Sequence, residues 1–307
     1  MSNQYPMVYL QKHCPVCHSE NLKPVKSERN EFKNDVDKDV YIFDKTWVQL
    51  LKCNDCTFAF SKEIPSQSDF FSKRYDIRFD PQSEVDNKFK EEINNEVLDT
   101  VQKVFKKNGK FLDIGSFAGN LIGLAKGRGF ECYGVEANAT MATFTKEKLG
   151  FNVYCGEFVN IDFGALKFDV ITLIDVLEHL FEPKRIMQKC ATVLEKDGLV
   201  YIKVPHYLPQ KLKQDFANFF GISKIGIFST FGHINQFSPK SLYKLAEECS
   251  LKPIANYVAR SEMMPGNSLK SRIKNIFRNG IYHLSELFRK VTGINIGLNI
   301  IVVYQKQ

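Results

Sequence analysis

No stretch of this 307-residue chain stays apolar long enough to span a bilayer as a helix. Its first residues, MSNQYPMVYLQKHC, lack the basic region and long apolar run of a secretory leader, so a cytoplasmic location is expected. Neither sign of charge dominates. The net charge of +7 and pI near 8.8 come without the dense basic stripe of a dedicated nucleic-acid binder, so nucleic acid is not the expected partner. The 44% hydrophobic and 25% charged content is that of a globular protein, and the length allows a sizeable core in one large or two unequal domains.

Cysteine is sparse outside two clusters. Cys132, Cys155, Cys190 and Cys249 lie scattered in apolar surroundings and read as small buried hydrophobes. HCPVCHSENL (13–22) and LLKCNDCTFAF (50–60) differ, because each carries C-x2-C. A two-residue gap turns both sulfurs of a pair onto one ion, so Cys14, Cys17, Cys53 and Cys56 make the closed thiolate set of a structural Zn²⁺ ribbon. Two disulfides or a redox pair are the alternatives, and a cytosolic setting disfavours disulfides. The ribbon is expected over residues 1–65, with room for a hairpin or inserted loop between the knuckles. A connector and helix over 66–108 follow, the helix read from apolar spacing in 84–109 with Gly109 as its stop.

Phosphate-binding signatures are missing too. FLDIGSFAGN (111–120) reads as a strand, an acid and a glycine turn, but no Lys follows Gly119 as a P-loop requires. The glycines, Gly115 and Gly119, are not spaced as G-x-G-x-x-G. Asp113 would repel a pyrophosphate and suits a ligand with a cationic group. S-adenosylmethionine meets that demand, having adenosine, an amine and a sulfonium but no phosphate. The two glycines allow close backbone approach. Glu136, ending the next strand, is positioned for two ribose hydroxyls. Glu157 is positioned for the adenine amino group, with Phe158 to cover the base or offer its amide.

From residue 109 to 307 strands at 111–114, 131–135, 152–155, 169–174 and 198–204 alternate with helices at 120–128, 139–149 and 183–195. Continuous apolar strands with crossover helices predict a mostly parallel α/β sheet covered on both faces, with ligands at the strands' carboxyl ends.

DIGSFAG, the strand-end Glu136, FDVITLIDVLEHLFEP, LEKDGLVYIKVPH, FGHINQFSPKSLYKLAEECSLKPI and NIIVVYQK, in that order, resemble the class I S-adenosylmethionine-dependent methyltransferases over about residues 84–307. The resemblance implies a Rossmann-like, mostly parallel seven-stranded sheet with an antiparallel last strand. With CPVC and LLKCNDC in front, the chain also resembles bacterial methyltransferases with an N-terminal zinc-binding segment that act on sugars or glycan precursors.

Methyl transfer needs alignment and exclusion of water, and a base only where the acceptor loses a proton. Asp175, Glu178 and His179, after the fourth strand, face the expected methyl position. His179 and Glu178 are the candidate catalytic pair, and Asp175 is assigned to the cofactor. D-x-x-E-H also looks like the divalent-metal ligands of quinone-type O-methyltransferases, and a purely structural role at a helix start is the plain alternative. His206 and His233 are candidates for the acceptor pocket, and Tyr75 for a cover over the cofactor. Residues 207–237 read as a lid insertion, in which Phe216, Phe219 and Phe220 at helical spacing are expected in a core.

SLKSRIKNIFRNGIYHLSELFRK (268–290) reads as an amphipathic basic helix, either a solvated face or a peripheral surface for anionic lipid or substrate. An RNA methyltransferase whose ribbon binds RNA, and a non-catalytic ribbon interaction protein, are the competing readings. The nearly balanced charge of RNEFKNDVDKDV and the lack of Asn-Pro-Pro-aromatic after the fourth strand count against RNA. The intact Asp113, Gly115, Gly119, Glu136 and Glu157 set counts against lost cofactor binding.

Overall fold

The computed structural model describes residues 8–29, 47–65, 90–221, 233–261 and 268–306. Tyr75, the inter-knuckle insertion at 30–46, the start of the helix expected from residue 84, and 222–232 of the expected lid lie outside them.

The N-terminal part carries β1 (Val8–Leu10), β2 (Leu22–Arg29), β3 (Trp47–Cys53), β4 (Ala59–Ser61) and β5 (Glu63–Pro65). Then come α1 (Glu91–Val104), β6 (Lys110–Ile114), α2 (Asn120–Gly127), β7 (Glu131–Glu136), α3 (Ala139–Glu147) and β8 (Asn152–Cys155). β9 (Phe168–Ile174), α4 (Pro183–Val193), β10 (Leu194–Pro205) and α5 (Tyr207–Phe219) follow. The chain closes with β11 (Asn235–Gln236), α6 (Pro239–Glu247), β12 (Leu251–Val258), α7 (Leu269–Thr292) and β13 (Asn299–Lys306).

The central sheet has seven strands in the order β12-β13-β10-β9-β6-β7-β8. β8, β7, β6, β9 and β10 run parallel, and β13 inserts antiparallel between β10 and β12. The Rossmann-like α/β fold expected above is therefore the fold observed. The central strands are apolar on both sides because helices cover both faces. Val97, Leu98 and Val101 of α1 and Ile122 of α2 bury against Phe111, Val170 and Tyr201 on one face. Ile186, Met187 and Cys190 of α4 and Leu242 and Leu245 of α6 pack on Leu112, Ile171 and Ile202 on the other. Of the four scattered cysteines, Cys155 is exposed, correcting the expectation of burial. It ends β8, the edge strand of the seven-stranded sheet.

A second sheet, β11-β4-β3-β2, contains the cysteine segment and one strand from far along the chain. β11 pairs antiparallel with β4, Asn235 opposite Phe60 and Gln236 opposite Ala59. Ser61 N donates to Ile234 O at 2.8 Å, and the Thr57 and Ser238 hydroxyls share a 2.5 Å hydrogen bond. Phe58 stacks on Phe60 and meets Phe237 at a centroid distance of 5.0 Å. Among the described residues the ribbon shares its core with the main domain: Cys14, Val16, Phe58, Phe60 and Phe237 belong to the same buried cluster as Leu177, Leu242 and Val302.

Phe237 is fully buried at this junction. Phe237→Ala is expected to cost about 3–5 kcal/mol of stability, since ring contacts on both sides leave little room for collapse. Denaturant unfolding of the two proteins measures the difference.

Candidate active site

The sheet changes direction between β6 and β9, and the turns leaving these two strands meet at that switch point. Gly115 has φ +74° and Gly119 φ +78°, left-handed values that side chains rarely adopt. Space also demands glycine: a Cβ on Gly115 would stand 2.5 Å from Val176 Cγ2, and one on Gly119 2.7 Å from Thr145 Cγ2. Gly119 starts α2, and Gly115 N and Ser116 N donate to Val135 O at 2.8 and 3.1 Å, locking the turn to β7.

Three carboxyl groups surround the turns. Asp113 is 5% exposed and accepts a 2.7 Å hydrogen bond from Thr172 Oγ1. Burial pushes it up to about 7, with the hydrogen bond opposing. Glu136 accepts from the Phe117 and Asn138 amides, both at 2.8 Å, so it shapes the turn from β7; burial raises its pKa against those bonds. Glu157 is partly exposed and accepts from Asn160 Nδ2 at 3.0 Å. The Phe158 ring is buried against Phe163 and Lys189, which leaves its backbone rather than its ring for a ligand.

Asp175, at φ +54°, ion-pairs with Lys203, whose side chain is only 5% exposed. Lys203 was not among the expected site residues. A lysine amid the apolar GLVYIKVP strand was the available signal, because a buried ammonium needs a carboxylate partner.

Glu178 lies in the 3-10 turn Leu177–His179 and is 1% exposed. Among the described residues neither carboxylate oxygen has a hydrogen-bond partner. Burial, then the charge of Asp175, raises its pKa well above the ordinary glutamate range. The ligand atoms of Glu178, His179 and His233 lie within 4.8 Å of one another, and the two imidazoles cross at 71° with centroids 4.9 Å apart. A buried carboxylate without a partner is costly, by roughly 1–3 kcal/mol or more. This one faces two imidazoles that could share a proton with it or join it around a cation. His206, the other candidate pocket histidine, is instead buried with Nδ1 3.1 Å from Gly297 O, and burial lowers it to about 4.

The 3-10 turn is held by β11. Asn235 Nδ2 donates to Leu177 O at 3.2 Å and Leu180 O at 2.6 Å, while the Asn235 backbone belongs to the ribbon sheet. One residue thus ties the ribbon to the carboxylate–imidazole cluster.

The ribbon cysteines converge. Cys14 and Cys56 sulfurs are 3.5 Å apart, Cys17 and Cys53 sulfurs 3.6 Å, and all four lie within 4.8 Å. A tetrahedron with Zn–S near 2.3 Å needs edges of roughly 3.8 Å, so the sulfurs fit one. The knuckles repeat the same turn. His18 N donates to Cys14 O and Thr57 N to Cys53 O, and His18 (φ +58°) and Thr57 (φ +66°) are both left-handed.

Phe216, Phe219 and Phe220 are 60%, 84% and 58% exposed, which corrects their expected place in a core. Their helical spacing marks one face of α5, but that face turns outward.

Asn235→Ala removes both donors to the 3-10 turn. It is expected to cost about 1–3 kcal/mol, readable as a lower unfolding midpoint, because one buried and one part-buried carbonyl lose a partner.

A family model described as "Methyltransferase domain" matches residues 89–255. The chain is similar to a ubiquinone biosynthesis O-methyltransferase of Coxiella burnetii, 26% identical over 105 residues that make up 33% of this chain and 45% of that protein. A protein of the same name from Glaesserella parasuis is 32% identical over 111 residues, 32% of this chain and 47% of that one. The chain spans about half the length of the curated relatives it matches. Among solved structures, a SAM-dependent methyltransferase from Methanosarcina mazei is 16% identical with a TM-score of 0.48, over 67% of this chain and 96% of that one. The family match covers more than half of the chain and includes both switch-point turns, so this chain belongs to the methyltransferase-domain family.

Proposed function

We propose that the protein transfers a methyl group from S-adenosylmethionine to a hydroxyl of a small molecule of the sugar, nucleotide-sugar or glycan-precursor class. The observation that carries this reading is Glu178, a buried carboxylate with no hydrogen-bond partner among the described residues, set against two imidazoles beside the glycine turn. A hydroxyl acceptor must lose a proton during transfer, and this cluster can take it.

Bound S-adenosylmethionine supplies an activated methyl on a sulfonium. Asp113 answers its amine, Glu136 its ribose and Glu157 its adenine, while Gly115 and Gly119 leave room for backbone contact. His179 or His233 accepts the acceptor proton, and Glu178 holds the imidazole and offsets its charge. Asp175 and Lys203 neutralise one another at the edge of the site, and Asp175 acts on a ligand through that pair. In the ribbon, the four cysteines suit a structural Zn²⁺: the set is complete, and Cys14, Cys53 and Cys56 are buried. Elemental analysis of the purified protein is expected to find one zinc per chain, lost in Cys14→Ser.

The direct test is methyl transfer from labelled S-adenosylmethionine into fractionated cell extract. Label in the sugar or lipid-linked glycan fraction supports the reading; label confined to RNA or protein overturns it. Glu178→Gln is expected to lose about a hundredfold or more in kcat. Cofactor affinity should change little, which calorimetry checks.

Affinity should also follow pH. Asp113 lies near 7 without ligand, and a bound cation favours its charged form, drawing its pKa down. Binding is therefore strongest above pH 7. It weakens by up to about tenfold per unit as pH falls from 7 toward the bound-state value. Asp113→Asn should bind weakly with that dependence removed, and an unchanged pH profile in the variant would contradict the assignment.

A further inference from the structure

We propose that the apolar face of α7 is a docking surface for an anionic lipid bilayer, on which the protein lies without crossing it. No helix among the described residues is long and apolar enough to cross a membrane. The argument rests on which way α7 faces.

α7 is 24 residues long, roughly 36 Å at 1.5 Å per residue. Leu269, Ile273, Ile276, Leu284, Leu287 and Val291 fall three, four or eight residues apart along one face, with Gly280 filling the gap. An amphipathic helix of a water-soluble protein turns such a stripe inward. Here every one of these six side chains is at least 58% exposed, and Phe277 beside them is 68% exposed.

The polar side of α7 faces the protein instead. Ser271 and Ser285 are its buried residues. Tyr282 Oη donates to Glu96 at 3.0 Å, Arg289 lies 5.2 Å over the Tyr257 ring, and Arg260 lies 4.7 Å over Tyr282. A groove of about 810 Å³ between α1 and α7 is lined by further charged groups, among them Asp99 and Lys103. The apolar stripe therefore contributes nothing to the core, and its exposure costs the free chain solvation free energy. An apolar environment outside the fold offsets that cost.

α5 carries a second exposed apolar face. Leu208, Leu212, Phe216, Phe219 and Phe220 follow helical spacing, and each is at least 52% exposed.

Charge selects an anionic bilayer over a neutral apolar partner. The exposed Lys270, Arg272, Lys274 and Lys290 flank the stripe, where long side chains reach headgroups while their stems lie along the apolar face. The one acid of α7, Glu286, is held by Arg289 and the Val258 amide. In α5, Asp215 pairs with Lys211. This surface does not depend on the methyl-transfer reading.

Co-sedimentation of the full chain with vesicles tests the proposal. The protein is expected to partition onto phosphatidylglycerol–phosphatidylcholine vesicles, more weakly as salt rises, and little onto phosphatidylcholine alone. Leu284→Glu and Ile276→Glu should each reduce partition by about tenfold or more without lowering the melting midpoint. Lys270→Glu with Lys274→Glu should reduce it by at least about fivefold. No partition onto the anionic vesicles would overturn the proposal. So would a dimer, detected by sedimentation velocity, that Leu284→Glu dissociates while vesicle binding is nil; a second copy would then be the occupant of the face.

Discussion

Two residues of β11 connect the two ends of this molecule. Their backbone completes the ribbon sheet through β4, and the Asn235 amide grips both carbonyls that frame the Glu178 turn. His233 stands two residues upstream on the same segment. The ribbon shares its hydrophobic cluster with the main domain, so it is packed onto that domain rather than a detached appendage. A metal ion bound by the four sulfurs would be a compact way to stiffen this strand pair.

The site is expensive in the electrostatic sense. Asp113, Glu136 and Glu178 are all buried, and burial raises the pKa of each. Asp175 and Phe117 hold left-handed backbone conformations that glycine adopts more easily. Such groups persist because the sheet beneath them is apolar and packed on both faces. They are also what a cationic, hydrogen-bonding ligand would relieve. Stability and ligand recognition therefore pull against one another at the strand ends, while the core at mid-strand carries the fold.

Much of this was legible in the residues. The apolar runs of β6, β7, β9 and β10 announced a parallel sheet because strands buried on both faces need no alternation. Gly115 and Gly119 marked the turn because side chains are excluded there, and the paired C-x2-C spacing marked the ribbon. Other features were not legible for physical reasons. β11 is two polar residues with no period to detect, and its role comes from pairing with a strand far away in the chain. The spacing of Phe216, Phe219 and Phe220 defined a face of α5 but not whether that face turns inward, and the same holds for α7. Lys203 was overlooked because its partner, Asp175, reaches it only across the sheet. His206 and His233 read alike in sequence, and the fold buries one against Gly297 and sets the other beside Glu178.

The central claim is that the ribbon holds the Glu178 turn in place through β11. Hydrogen–deuterium exchange before and after metal chelation tests it most directly. The account predicts that chelation accelerates exchange at the knuckles and β4, and equally in peptides covering 233–237 and 177–180, while β6 and β9 stay protected. Faster exchange confined to the ribbon, with residues 177–180 unchanged, would contradict it.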